Sequence, residues 1–186
     1  MMRSRIAALV LVALACGCAS SPPMRYYVLS EVAPSGTLGV AASGADALQV
    51  TGVKLPGELD RTELIQRIDA NRVRIAEDDR WAAPLDDMIR RVLAADLRHR
   101  AESGRTGQIS VQIESFSADA ACAVDLRAAW AWREPEAKAP SEMRRAEIQI
   151  PPGATPCPVS AVPERMSAAL AQLSERMLEP AGSPAH

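Results

Sequence analysis

Aromatic residues and histidines are scarce in this sequence of 186 residues. Phe, Trp and Tyr together make up 3% of the chain, and there are two histidines. The core must therefore rest on Leu, Ile, Val, Met and Ala. His99 is the only histidine before the C-terminal residue, and it lies between two arginines at the end of an expected helix. We interpret it as a surface group that stabilises the helix dipole, not as a catalytic base.

Complete catalytic and ligand-binding motifs are also missing. The chain has no G-x-S-x-G, no glycine-rich phosphate loop and no H-E-x-x-H. Its four cysteines and two histidines do not match the spacing of zinc ligands. We therefore predict that the protein is not an enzyme and holds no metal and no cofactor.

An excess of positive charge is absent as well. Lys and Arg number 21 and Asp and Glu number 23, which gives a net charge of −2. Removal of residues 1–17 would take away Arg3 and Arg5, leaving 19 − 23 = −4. A mildly acidic protein without a basic run is not expected to bind nucleic acid.

The one long apolar run, Ile6 to Ala15, follows two arginines and is too short to span a bilayer. It is typical of a signal peptide and ends in Cys16-Gly17-Cys18. A small residue followed by cysteine indicates lipidation, in which acyl chains on the cysteine anchor the protein durably. We predict a signal peptide over residues 1–17, lipidation of Cys18 and a tether over residues 18–25. Cys16 is the alternative lipidation site.

The remaining cysteines follow from that choice. If Cys18 carries the lipid, Cys16 leaves with the signal peptide, and Cys122 and Cys157 remain as an even pair. In an oxidising compartment this pair is expected to form a disulfide between a β-hairpin and the loop before the last helix. Two buried free thiols are the alternative.

The densest local signals lie between Leu55 and Leu97. A Pro-Gly turn precedes two extended runs, residues 64–68 and 73–75, which predict a hairpin. Asp60 and Glu63 also fit a capping box, so one helical turn before that hairpin is the alternative. Pro84 then opens a helix, because apolar residues recur along one face from Leu85 to Leu97.

The rest of the chain predicts further strands and one more helix. A strand at residues 48–55 contains Gly52, where its apolar phase changes, so a bulge is expected there. Other strands are expected at residues 26–29, 108–116, 123–133 and 146–150, with a helix at 162–178. The sequence predicts one α/β or α+β domain over residues 26–179, a mixed sheet of six or seven strands, two main helices and a disordered tail at 180–186.

Several separated motifs resemble the PqiC-like ABC-type transport auxiliary lipoproteins. They are Leu55-Pro56, Leu59-Asp60-Arg61, Asn71, Arg80-Trp81-Ala82, Pro84-Leu85, Arg91-Val92-Leu93 and Asp96-Leu97. The sequence departs from the family at Ala83, where an acidic residue is usual. The resemblance implies a three-layer α/β/α fold akin to the anticodon-binding folds.

The resemblance also implies a role and partners. Such lipoproteins work beside a permease, an ATPase and a periplasmic MCE-domain protein in moving lipids between membranes. Ala19 follows Cys18, and the absence of an aspartate there indicates the outer membrane. We expect an outer-membrane lipoprotein facing the periplasm that docks the MCE-domain protein and forms a homo-oligomer.

The expected partner-binding residues are Arg61, Arg80 and Trp81. Trp and Arg are enriched at the residues that dominate binding energy, so the Arg80-Trp81 pair is the strongest candidate. The alternative is that Trp81 packs near Leu85 as a hydrophobic staple at the start of the helix.

Overall fold

The structure, a computed structural model, describes residues 23–32, 48–100 and 106–179. Its strands are β1 (Arg25–Tyr27), β2 (Gln49–Lys54), β3 (Glu63–Arg67), β4 (Val73–Trp81), β5 (Gln108–Asp119), β6 (Val124–Arg133) and β7 (Arg144–Ile150). Its main helices are α1 (Leu85–Arg100) and α2 (Val162–Leu178), with a 3-10 turn at Val159–Ala161 before α2. Both predicted lipidation sites, Cys16 and Cys18, and the tail at 180–186 lie outside the described residues.

All seven strands join one mixed sheet. Its order is β1-β4-β3-β5-β6-β7. Strands β2 and β3 share one edge of β5: β2 pairs with the first half of β5, and β3 pairs with the C-terminal end of β5. The pairs β3–β4, β5–β6 and β6–β7 are antiparallel, whereas β1–β4, β2–β5 and β3–β5 are parallel. The α/β class, the mixed sheet and the two main helices are therefore confirmed. The bulge in β2 is also confirmed, because its register shifts between Val50 and Gly52.

One face of the sheet is buried and the other is polar. The buried face carries Val50, Ile109, Val111, Ile113, Phe116, Val124, Leu126, Ala128, Trp130, Ile148 and Ile150. On it, α1 packs over β2, α2 packs over β5, β6 and β7, and the two helices contact each other. The described residues thus form two layers. The second helical layer that the family resemblance implied is not found among them, because the opposite face presents Ser110, Gln112, Arg127 and Arg145 to solvent.

Helix α1 follows its sequence pattern closely. Its apolar stripe from Leu85 to Leu97 is buried, its first turn carries Asp86 and Asp87, and its last turn is basic. Acidic side chains at the N-terminus and basic side chains at the C-terminus both interact favourably with the helix dipole. The predicted helix over this stretch is confirmed.

Strand β4 is much longer than the sequence pattern indicated. The expected strand ended at Ile75, but pairing continues to Trp81. The alternative, a helical turn from Asp60 to Glu63, is not found, since residues 57–62 form turns and bends and Glu63 begins β3. The sequence pattern did not predict this extension because residues 77–80 are all charged. Their pairing depends on residues elsewhere in the chain, in β1 and at the start of β3.

Candidate functional site

The candidate site is the polar surface where β1, the end of β4 and the start of β3 meet. It consists of Tyr26, Arg61, Glu63 and Arg80, and we name it the β1–β4 surface. The register aligns Arg80 with Tyr26 on one side and with Glu63 on the other. Tyr26 is 64% exposed, which is unusual for a large aromatic side chain. Strand pairing therefore brings an exposed aromatic ring beside an arginine and a carboxylate.

Arg61 and Glu63 form an ion pair at this surface. The Arg61 Nε atom lies 3.4 Å from Glu63 Oε2. The pKa of Glu63 is lowered by a hydrogen bond from its own backbone N–H, and further by Arg61 and by the charge of Arg80. Glu63 is therefore a carboxylate at neutral pH. The surface carries two guanidinium groups and one carboxylate, so it has an excess of positive charge.

Arg80 is only partly exposed, and its Nε atom is buried. Within the part of the chain that the structure describes, this N–H has no hydrogen-bond acceptor. Leaving a buried donor unpaired costs about 1–3 kcal/mol, so such groups call for an explanation. Because the buried Nε is out of reach of another molecule, a partner's carboxylate or carbonyl oxygen can accept hydrogen bonds only from the other N–H groups of this partly exposed side chain.

Directly beneath the surface, Asp79 fixes β1 to β4. Its two carboxylate oxygens accept hydrogen bonds of 2.7 Å from Nε and Nη2 of Arg25, and the Tyr27 hydroxyl donates to it at 2.8 Å. Hydrogen bonding to Arg25, and then to Tyr27, lowers the pKa of Asp79 although burial opposes this. Asp79 is buried, and a buried carboxylate requires such partners because burial without them is costly.

Trp81 lies in the hydrophobic core together with Leu85. Its backbone N–H donates to the Thr62 carbonyl oxygen at 2.7 Å. This is the position that the hydrophobic-staple interpretation expected. Of the three sequence candidates, Arg61 and Arg80 thus reach the β1–β4 surface, and Trp81 supports it from below.

At the far end of the sheet, a disulfide joins Cys122 to Cys157, whose Cα atoms are 5.0 Å apart. It links the turn between β5 and β6 to the loop before α2. The buried Gln66 side chain extends this connection to β3, because its Nε2 donates to the Cys157 carbonyl oxygen at 3.2 Å. The ends of three strands and the start of α2 are thereby held together.

Other chemistry is not assembled in the described residues. None of their His, Cys, Asp and Glu side chains form a group that could hold a metal ion. Within the same ranges, no helix has the length and apolar character needed to cross a membrane. His99 lies at the surface with its Nε2 atom 3.4 Å from a carboxylate oxygen of Glu31.

Sequence reasoning missed Tyr26, Glu63 and the Asp79 network. Tyr26 was assigned to a half-buried strand, and Arg25 only to the tether. One signal for this network is present in the sequence, namely Asp79 directly before the Arg-Trp motif. If Asp79 is buried, its carboxylate needs a cationic partner. The identity of that partner depends on strand pairing between residues 54 positions apart, which the sequence pattern does not specify.

Two kinds of sequence comparison give related results. A family model described as the ABC-type transport auxiliary lipoprotein component matches residues 27–178. Two curated relatives are each called intermembrane transport lipoprotein PqiC, one from Escherichia coli (strain K12) and one from Shigella flexneri. Each is 34% identical over 81 residues, covering 44% of this chain and 43% of the relative. The match thus spans less than half the length of these relatives.

Two solved structures are similar to this fold. The crystal structure of an uncharacterized protein has a TM-score of 0.62 and 16% identity, covering 84% of this chain and 97% of that one. Protein XCC0632 from Xanthomonas campestris has a TM-score of 0.61 and 15% identity, with coverage of 82% and 91%. At these identities the likeness shows the fold alone.

Proposed function

Since the chain belongs to the family of ABC-type transport auxiliary lipoprotein components, we propose that it docks a periplasmic MCE-domain protein in an intermembrane lipid transport system. The permease and ATPase of that system would lie in the inner membrane. The protein contributes binding and not catalysis. Its relatives' name, intermembrane transport lipoprotein, supports the membrane context.

The docking site in this proposal is the β1–β4 surface. The observation that carries it is the strand register, which places the partly exposed Arg80 beside Tyr26 and Glu63. Tyr26 adds exposed aromatic area beside it, and Tyr and Arg are among the residues that dominate protein interfaces. A carboxylate or backbone carbonyl of the partner, placed against the accessible part of Arg80, would accept a hydrogen bond from the guanidinium group and bury the tyrosine ring.

The proposal includes the anchor and the location. Cys18, or Cys16 as the alternative, carries the lipid. The residues between it and β1 form the tether, which is shorter by one residue than the predicted 18–25 because Arg25 begins β1. The folded domain lies on the periplasmic side of the outer membrane. Confinement to a membrane surface raises the effective concentration of the domain near its partner, so a weak contact suffices. Self-association into a homo-oligomer would multiply that contact.

Cross-linking and pull-down of the full lipoprotein from cells test this function. Wild type should recover an MCE-domain protein. Tyr26→Ala and Arg80→Ala should each recover about tenfold less, which corresponds to a loss of about 1.4 kcal/mol of binding free energy. Arg145→Ala is the matched control, because it removes another exposed arginine from the sheet, one that pairs with Glu114 at 3.2 Å.

The outcomes separate the function from the site. Recovery of no MCE-domain protein with wild type would show that the proposed docking is wrong. Equal recovery with all folded variants would keep the partner and reject the β1–β4 surface.

A further inference from the structure

The β3–β4 hairpin exposes three β-branched apolar side chains near its turn. Ile68, Val73 and Ile75 are 51%, 52% and 43% exposed. Val73 and Ile75 lie on one face of the hairpin and Ile68 on the other, so the end of the hairpin exposes apolar side chains on both faces. We name residues 67–75 the hairpin tip.

The same hairpin tip is basic. It contains Arg67, Arg72 and Arg74 and only one acidic residue, Asp69. Arg72 is largely exposed and pairs with Asp69 at 2.6 Å. Apolar side chains combined with arginines match an anionic lipid surface, where the apolar groups enter the interface and the guanidinium groups meet phosphates.

The hairpin tip is also held in a fixed shape. Oδ1 of Asp69 accepts hydrogen bonds of 2.9 Å from the backbone N–H groups of Asn71 and Arg72, which fixes the turn. Gln66 accepts a hydrogen bond from Arg74 and donates to the Cys157 carbonyl oxygen, which ties the base of the hairpin to the disulfide-linked loop. The apolar side chains are therefore presented on a preorganised support.

The direction of β1 allows the predicted anchor to reach this end of the molecule. Strands β1 and β4 run parallel with Arg25 opposite Asp79, so the chain arrives at β1 from the hairpin side. Along β4, Val73 lies six residues before Asp79, about 20 Å in a strand. Cys18 lies seven residues before Arg25, a reach of up to about 25 Å. A lipid on Cys18 can thus reach the level of the hairpin tip.

We propose that the hairpin tip contacts the bilayer that holds the lipid anchor. Ile68, Val73 and Ile75 enter the lipid interface, and the arginines face lipid phosphates. This inference rests on the proposed lipid anchor. Arg80 lies seven residues further along β4 than Val73, about 23 Å away, so the β1–β4 surface is left clear of the membrane.

Site-specific fluorescence on the lipidated full-length protein in vesicles tests the contact. A cysteine replaces Val73 and is labelled with the environment-sensitive dye NBD. Met143→Cys is the matched control, because Met143 is 47% exposed and precedes β7 at the opposite end of the sheet. The vesicles contain about three parts phosphatidylethanolamine to one part phosphatidylglycerol, which supplies the anionic surface.

We expect the label at position 73 to shift to shorter emission wavelength, to resist aqueous iodide and to be quenched by doxyl-labelled phospholipid. The label at position 143 should show none of these changes. Ile75→Cys serves as a second labelled variant and should behave as Val73→Cys does. Retained thermal unfolding transitions check that each variant folds.

Three results would overturn the inference. Equal iodide access at positions 73 and 143 in protein that floats with the vesicles would reject the membrane contact while keeping the anchor. Iodide protection without doxyl quenching would show that protein, not lipid, covers the hairpin tip. If the wild type floats no better than Cys18→Ser and Cys16→Ser, the anchor itself fails, and the inference fails with it.

Discussion

Asp96 lies in an environment that is unfavourable to its charge. It lies on the buried side of α1 and is 1% exposed. Burial raises the pKa of Asp96 to about 6, although Arg100, with its Nη1 atom 4.0 Å away, opposes the shift. Glu31, His99 and the backbone of Val32 also face this carboxyl group. The folded protein therefore holds a carboxylate that burial disfavours at neutral pH.

The sign of the pH effect follows from that shift. The ordinary pKa of the carboxyl is 3.8, so the folded state loses stability as the pH rises from about 4 through 6. Asp96→Asn should therefore raise the free energy of unfolding at pH 8 by roughly 1–3 kcal/mol and have little effect below pH 4. Urea denaturation at both pH values measures this.

Asp86→Asn is the control, because it removes an exposed acid from the same helix. It should not reproduce the gain in stability at pH 8. Equal stability of Asp96→Asn and wild type at pH 8 would show that the buried charge is compensated.

At the scale of elements, the short strand β1 depends on Asp79 more than on its own length. Three residues supply few backbone hydrogen bonds, whereas Asp79 accepts three side-chain hydrogen bonds from Arg25 and Tyr27. The pKa of Asp79 is lowered in the folded state, so its contribution is present above about pH 4 and lost as the pH falls below that.

Asp79→Asn should loosen β1 without disturbing the hairpin. Backbone exchange can separate the two, because the Ala82 N–H donates to the Tyr27 carbonyl oxygen and the Trp81 N–H donates to Thr62. Hydrogen exchange at the Ala82 amide should become faster, while exchange at the Trp81 amide should not change. Faster hydrogen exchange at both amides would mean that Asp79 supports the whole sheet and not β1 alone.

Local periodicity explains which elements could be predicted from the sequence. The stripe of α1 and the alternation of β5 and β6 are visible because each element buries one face. The extension of β4 through Asp79 was not predictable in this way, because a charged run is stabilised there by Arg25 and Tyr27. The candidate site shows the same division: Arg61 and Arg80 were identified by motif, whereas Tyr26 and Glu63 join them only through strand register.

At the scale of the whole molecule, the disulfide restricts the unfolded chain. It closes a loop over a sequence separation of 35 residues. The double variant Cys122→Ser/Cys157→Ser should therefore lower the free energy of unfolding by about 2–4 kcal/mol, because the unfolded chain gains conformational entropy. Urea denaturation of wild type with and without reductant provides the matched comparison. An unchanged midpoint on reduction would contradict this account.

The three parallel pairings have a consequence for how the chain folds. Each joins residues more than fifty positions apart, as in Arg25 with Asp79, Gln49 with Gln108 and Gln66 with Ala118. Such pairings require long loops to close before their hydrogen bonds form, which slows folding. Synthesis supplies β2 and β3 long before β5, with which both pair. Each of these two strands must therefore wait with an unpaired edge, a state prone to aggregation that favours protection by chaperones until β5 is available.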